Sequence, residues 1–189
     1  MPHLSKSALR EAALGRRDAL GPEARIEAAL AIAELFPLDR IAVAGKIVSG
    51  FLPIQSEIDV RPLMDRLRLA GARLALPAFD TRKSPMTFRV LERGAPLVPM
   101  GFGTFGPGLD APEVEPDILL TPLSAFDRAF HRIGYGKGHY DKALARLDQT
   151  GSRLAIGVAF STQEVEVVPA EPHDRRLDAI LTETGFRAP

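Results

Sequence analysis

Apolar residues at Leu9, Ala13, Leu20, Ile26, Leu30, Ala33 and Leu35 recur at helical spacing through residues 5–36, and Gly21-Pro22 interrupts them, so this stretch predicts two helices. Residues 41–53 are apolar and β-branched apart from Lys46 and Ser49. They read as a buried strand opening into the loop Ile54-Gln55-Ser56-Glu57-Ile58-Asp59. Leu63, Met64, Leu67 and Leu69 restore the helical period over residues 60–70, and residues 73–77 form a short strand, which completes a β-α-β unit. Residues 86–91 are a further strand, set near a sheet edge by the flanking Arg89 and Glu92. Residues 96–116 hold Gly101, Gly103, Gly106, Gly108 and several prolines, and predict a long irregular loop; Phe102 and Phe105 within it either stack on a flat ligand or staple the loop to the core. Strands follow at Ile118-Leu119-Leu120-Thr121, at 153–160 and at 178–182, with a helix over 142–147 and an extended or turned stretch over 163–168. This alternation predicts an α/β three-layer sandwich with a mainly parallel central sheet, as a single domain over residues 1–189.

Composition narrows the partner. A chain of 189 residues is about one domain, long enough to bury roughly 70% of its unfolded surface. Lys+Arg and Asp+Glu both number 24, which argues against nucleic acid and points to a small-molecule substrate. Without cysteine there is no disulfide framework. No early apolar stretch resembles a secretory signal and none is long enough to span a membrane, so a cytoplasmic monomer is expected.

The chemistry concentrates in Arg132-Ile133-Gly134-Tyr135-Gly136-Lys137-Gly138-His139-Tyr140-Asp141. Three alternate glycines permit a tight backbone whose N–H groups turn to one side, and the helix that follows aims its unpaired N–H groups and positive dipole end at the same spot. Arg132 and Lys137 add full charges, so the stretch suits a phosphate. Asp141 at its rim is most simply explained by a bridging Mg2+ ion, which prefers one or two carboxylates plus phosphate oxygens. The loop is neither a P-loop, since Gly138 and His139 follow Lys137 with no hydroxyl, nor a dinucleotide fingerprint, since His139 stands where the third glycine belongs. His139-x-Asp141 with His173-Asp174 also has the residue types of a zinc or iron site, although hard oxygen ligands beside a phosphate loop favour magnesium.

Two further features stay open on spacing alone. Lys6 and Arg10 share a helix face with Arg17 two turns on, which by itself reads as a solvated basic stripe. Glu57, just beyond the end of a central strand, either grips a polar ligand or caps the helix beginning near Pro62.

Taken together, Lys6-x-x-x-Arg10, Glu57-Ile58-Asp59, Phe126-Asp127, the glycine stretch through Asp141, Gln163, Val168-Pro169, His173-Asp174 and Leu177-Asp178 run in an order that resembles the 5-formyltetrahydrofolate cyclo-ligase, or 5,10-methenyltetrahydrofolate synthetase, family. The resemblance implies ATP-dependent ring closure of a reduced folate. It implies ATP contacts from Lys6, Arg10 and the loop 132–140, with Arg132 and Lys137 stabilising the transferred phosphoryl group. Leu52 and Glu57 would hold the folate, and Asp141 and Asp174 would ligate Mg2+. Two positions depart from the family pattern: Gly106-Pro107 stands where the family commonly has Glu-Pro, and Phe130 where it has a glycine. Both bear on the folate side of the cleft. A non-catalytic nucleotide-binding module, or a related ATP-dependent enzyme with another substrate, is the alternative.

Overall fold

The structure, a computed structural model, describes residues 5–80, 84–101, 103–171 and 174–189. The first two helices fall where the periodicity puts them. Ser5 caps α1 (Lys6–Asp18) by accepting from the Ala8 N–H at 3.2 Å, and Pro22 opens α2 (Pro22–Leu35), where its missing N–H costs nothing. Residues 41–53 depart from the single strand expected of them, because Gly45, at φ +74°, turns the chain first and only β1 (Ile47–Ser49) is extended. Beyond it come α3 (Arg61–Leu69), β2 (Arg73–Ala78) and β3 (Thr87–Val90).

The segment 96–116 is not irregular throughout. β4 (Leu97–Gly101) and β5 (Thr104–Pro107) form an antiparallel hairpin, with Pro99 opposite Phe105. A two-stranded ribbon is all edge, which is where a sheet tolerates proline. The chain continues through β6 (Ile118–Pro122), β7 (Ala125–Phe126), β8 (Arg132–Ile133), α4 (His139–Leu147), β9 (Leu154–Val158), a 3-10 turn at Ser161–Gln163, β10 (Ala179–Thr182) and β11 (Gly185–Arg187).

Seven strands form the main sheet in the order β11-β10-β9-β6-β1-β2-β3. The inner strands run parallel, and only the edge strands β11 and β3 are antiparallel. Alternation along the strands separates two cores. Leu74, Leu76, Ile118, Leu120, Ile156 and Val158 pack with Ala28, Ile32, Leu63 and Leu67 of α2 and α3, while Ala75, Leu119, Ala155 and Ile180 face Ala143, Leu144 and Leu147 of α4. Helices therefore cover both faces, giving the three-layer α/β architecture. α1 lies across the strand ends, where Ala13 packs on Ala125, Ile133 and Val168.

β3 is an edge strand, as expected, but Arg89 does not face water. Its side chain is 10% exposed and its guanidinium donates to the carbonyls of Leu109 (3.1 Å) and Ala111 (2.8 Å) and to Asp80 (3.1 Å), tying the segment after β5 to the sheet.

Gly157 on β9 marks the tightest sheet-to-loop packing. A Cβ there would lie 2.5 Å from Leu177 Cδ1 and 2.8 Å from Leu123 Cδ2. Gly157→Ala should therefore destabilise the fold by about 1–2 kcal/mol, the usual scale of overpacking by one carbon. Urea titration checks this as a lowered midpoint with an unchanged slope.

Candidate functional site

β1 turns to β2 on one side and β6 to β9 on the other, so the sheet has a switch point between β1 and β6. In open α/β sheets the crevice beyond the carboxyl ends of such strands binds ligands. Here it is a cavity of about 430 Å³. Phe51 and Leu52 just after β1, Pro77 in β2 and Pro122 at the end of β6 contribute to its walls, and Phe79, Met86 and Phe105 extend the apolar side. Phe105 is 52% exposed and lines this space, so it is not a core staple. Phe102 and His173 lie outside the described residues.

The polar wall is the glycine loop. Arg132, Gly134, Tyr135, Lys137, Gly138, His139, Tyr140 and Asp141 all line the cavity, as do Leu52 and Glu57. Gly136 (φ +86°) and Gly138 (φ +63°) adopt the left-handed conformation that excludes most side chains, whereas Gly134 does not. Gly138 is also the N-cap of α4, which begins at His139, earlier than the residue pattern suggests. As a glycine it has no side chain to bond the first-turn N–H groups. Ile133 is 2% exposed and packed in the core beneath α1, which leaves only its backbone for a ligand.

Charges around the loop are paired. Arg132 Nη2 donates to Asp141 Oδ1 at 2.6 Å and its Nη1 to the Arg175 carbonyl at 2.7 Å; its side chain is 5% exposed. Lys6 Nζ lies 2.6 Å from Asp174 Oδ2 and 3.5 Å from Glu171 Oε1, and the bond to Asp174 raises the lysine's pKa. Burial lowers that of Arg132, and both Asp141 and Asp174 oppose the shift, so both carboxylates act on this one guanidinium. Burial also holds the His139 imidazole below its ordinary value, with Lys137 and Lys142 adding to the effect.

The basic stripe on α1 is not a solvated one. Arg10 Nε donates to the Gly134 carbonyl at 2.7 Å, and its guanidinium lies against Gly136. Arg17 is 1% exposed. Its Nε donates to Ser56 Oγ at 2.8 Å and its Nη1 to the Tyr135 hydroxyl at 2.9 Å; Ser56 in turn donates to Asp18. The Tyr135 hydroxyl donates to Glu57 Oε1 at 2.8 Å, and Glu57 Oε2 accepts from the Ile54 N–H at 2.9 Å. Glu57 therefore braces the turn over residues 54–57 and does not cap α3, whose N-cap is Val60. Spacing placed Arg17 on the face of Lys6 and Arg10 but could not show that it is buried against Ser56 and Tyr135.

Phe126-Asp127 proves to be an anchor. The buried Asp127 carboxylate accepts from the N–H groups of Ala129 (2.9 Å), His131 (3.0 Å) and Val168 (2.9 Å), fixing the turn that feeds Arg132 into the site. Within that turn Phe130 sits at φ +66°, a conformation glycine adopts without strain. Gly106 packs so closely that a Cβ would meet the Pro77 carbonyl at 2.9 Å. A glutamate at that position would have to push β5 away from β2.

The carboxylates of Asp141, which lines the cavity, and Asp174, which pairs with Lys6, are hard oxygen donors. Among the described residues no three His, Cys, Asp or Glu side chains group to enclose a metal. That donor set fits a magnesium ion shared with phosphate oxygens better than an all-protein cage. Among the same residues no helix is long and apolar enough to cross a membrane.

Fold and cleft together define an α/β protein with a cavity at the sheet switch point that is lined by both apolar and cationic side chains. Residues 2–183 match the model of the 5-formyltetrahydrofolate cyclo-ligase family. The Escherichia coli K12 5-formyltetrahydrofolate cyclo-ligase is 33% identical over 172 residues, 88% of this chain and 94% of that protein. The Mycolicibacterium smegmatis 5-formyltetrahydrofolate cyclo-ligase is 32% identical over 185 residues, 94% of this chain and 93% of that one. The NMR structure of Aquifex aeolicus 5,10-methenyltetrahydrofolate synthetase superposes with a TM-score of 0.78 at 30% identity, over 97% of this chain and 92% of that chain. The chain belongs to the 5-formyltetrahydrofolate cyclo-ligase family.

Proposed function

We infer that this chain is a 5-formyltetrahydrofolate cyclo-ligase, which converts 5-formyltetrahydrofolate and ATP into 5,10-methenyltetrahydrofolate, ADP and phosphate. The formyl oxygen on N5 attacks the γ-phosphorus of ATP and ADP leaves; N10 then attacks the activated formyl carbon and phosphate departs. The observation that carries this reading, beside family membership, is the one cavity lined both by Glu57 and apolar side chains and by Arg132 and Lys137. A flat, amino-edged pterin and a triphosphate need those two chemistries to meet at one point.

Each group then has a physical role. Arg132 and Lys137 offset the charge that spreads over the phosphoryl oxygens, and the loop N–H groups orient them, since phosphoryl transfer is catalysed mostly by positioning and charge stabilisation. Lys6 and Arg10 hold the nucleotide at the α1 side, and Leu52 and Glu57 hold the pterin. Magnesium held by Asp141 and Asp174 with phosphate oxygens would supply further neutralisation. Asp141 pairs with Arg132 and Asp174 with Lys6, so the two carboxylates that would hold the metal lie beside two of the cations that would hold phosphate.

ATP hydrolysis that depends on added 5-formyltetrahydrofolate, with the methenyl product appearing in step, tests the assignment. ADP formation indifferent to the folate would overturn it. Asp141→Asn should raise the Mg2+ concentration for half-maximal rate severalfold, with excess metal restoring part of the activity, because an amide oxygen is the weaker ligand. A metal titration of rate with an unchanged midpoint would remove Asp141 from the coordination sphere.

A further inference from the structure

We propose that Arg17 is a positioning residue for folate binding: its guanidinium holds the Tyr135 hydroxyl so that Tyr135 donates to Glu57, which keeps Glu57 an acceptor for the substrate. The proposal rests on the cyclo-ligase reading and deepens it.

Donor chemistry carries the argument. Arginine can only donate, so the Tyr135 oxygen must accept from Arg17 Nη1 at 2.9 Å. The phenol has one hydrogen, and the remaining short contact, 2.8 Å to Glu57 Oε1, takes it. With Oε2 accepting from the Ile54 N–H, both oxygens of Glu57 are committed as acceptors, and the lone pairs left point to donors alone. A pterin amino edge is a donor edge. Arg17 is itself over-determined, because it is 1% exposed and its Nε is spent on Ser56 Oγ at 2.8 Å, so the fork has one orientation.

Burial works against this state. It raises the Glu57 carboxyl above its ordinary value, and the Ile54 N–H, the Tyr135 hydroxyl and the Arg17 charge pull it back. The groups that face Glu57 are Arg17 from α1, with Asp18 beyond Ser56, Tyr135 from the glycine loop and Tyr140 from α4. The Tyr135 phenol, pushed up to about 12 chiefly by burial, stays protonated and keeps its hydrogen for Glu57. Removing Arg17 or the phenol oxygen therefore raises the Glu57 pKa further, and the carboxylate that binds substrate is lost at a higher pH than in the parent.

The test is the pH dependence of KM for 5-formyltetrahydrofolate, with KM for ATP measured alongside, in the parent, Arg17→Met and Tyr135→Phe. Both variants should show the acidic limb moved up by about one pH unit, hence a folate KM raised by up to about tenfold relative to the parent at the low-pH end of that limb and a gap that narrows as the pH rises past it. The ATP KM should stay within about twofold for Arg17→Met. A variant with a lower melting temperature but an unmoved limb would make Arg17 merely structural and overturn the proposal. Should Arg17→Met fail to fold, Tyr135→Phe decides alone, since it leaves the Arg17–Ser56 bond in place. Failure of the cyclo-ligase reading is separate: the parent would then show no folate-dependent turnover at any pH.

Discussion

Lys137→Ala is expected to lower kcat by about 10²-fold or more with a much smaller change in the KM for ATP. Lys137 stands between two glycines held at φ +86° and φ +63°, and it lines the cavity with Arg132 and Asp141. The backbone thus presents this side chain to the phosphate cradle at a fixed angle. A cation so placed interacts most strongly when charge moves onto the phosphoryl oxygens, and interactions made mainly in the transition state appear in kcat. Losing one preorganised donor of this kind commonly costs 10²–10³-fold. Steady-state kinetics with either substrate saturating is the measurement. A kcat within twofold of the parent would remove Lys137 from the chemistry and leave Arg132 as the stabilising cation.

Glu57→Gln is expected to weaken 5-formyltetrahydrofolate binding at least tenfold while ATP binding barely changes. The substitution keeps volume but turns one acceptor oxygen into a donor. Tyr135 and the Ile54 N–H already donate to the carboxylate, so the new NH2 group faces a donor whichever way it is turned. Charge-assisted bonds of this type contribute roughly 1.5–3 kcal/mol each, which corresponds to tenfold or more for one bond lost. Calorimetric titration of each ligand separately decides the matter. Equal losses for both ligands would mean that Glu57 serves only the turn over residues 54–57. Unchanged folate binding would move the pterin towards Phe105.

What could be read from the sequence, and what could not, follows from how each feature is encoded. The helices and the buried parallel strands announce themselves because their faces carry a period, as in Leu63, Met64 and Leu67 or in Ile118-Leu119-Leu120. The hairpin of β7 and β8 leaves no such trace: two residues per strand hold no period, and the turn between them is held by Asp127, which accepts from Ala129 and His131 nearby and from Val168 in a distant segment. β4 and β5 were masked by glycine and proline, which forbid a central strand but not a ribbon with open edges. At the site, the glycine stretch was legible because φ > 0 and cationic charge both leave a mark in residue type. Arg17 was not, because a buried arginine and a solvated one are the same letter, and only the fold reveals that Ser56 and Tyr135 surround it.

The bond between Lys6 and Asp174 joins residues 168 positions apart, and the bonds of Arg10 to Gly134 and Arg17 to Tyr135 join residues 124 and 118 positions apart. Synthesis runs from the amino end, so α1 leaves the ribosome first and waits for every partner it will hold. Arg10 cannot meet Gly134, nor Arg17 the Tyr135 hydroxyl, until the glycine loop has been made, and Lys6 meets Asp174 only after β9 is complete. Contacts of such separation form late because loop closure must precede them. A chain halted between the end of β9 and Asp174 thus holds most of the sheet strands but lacks the Lys6–Asp174 bond.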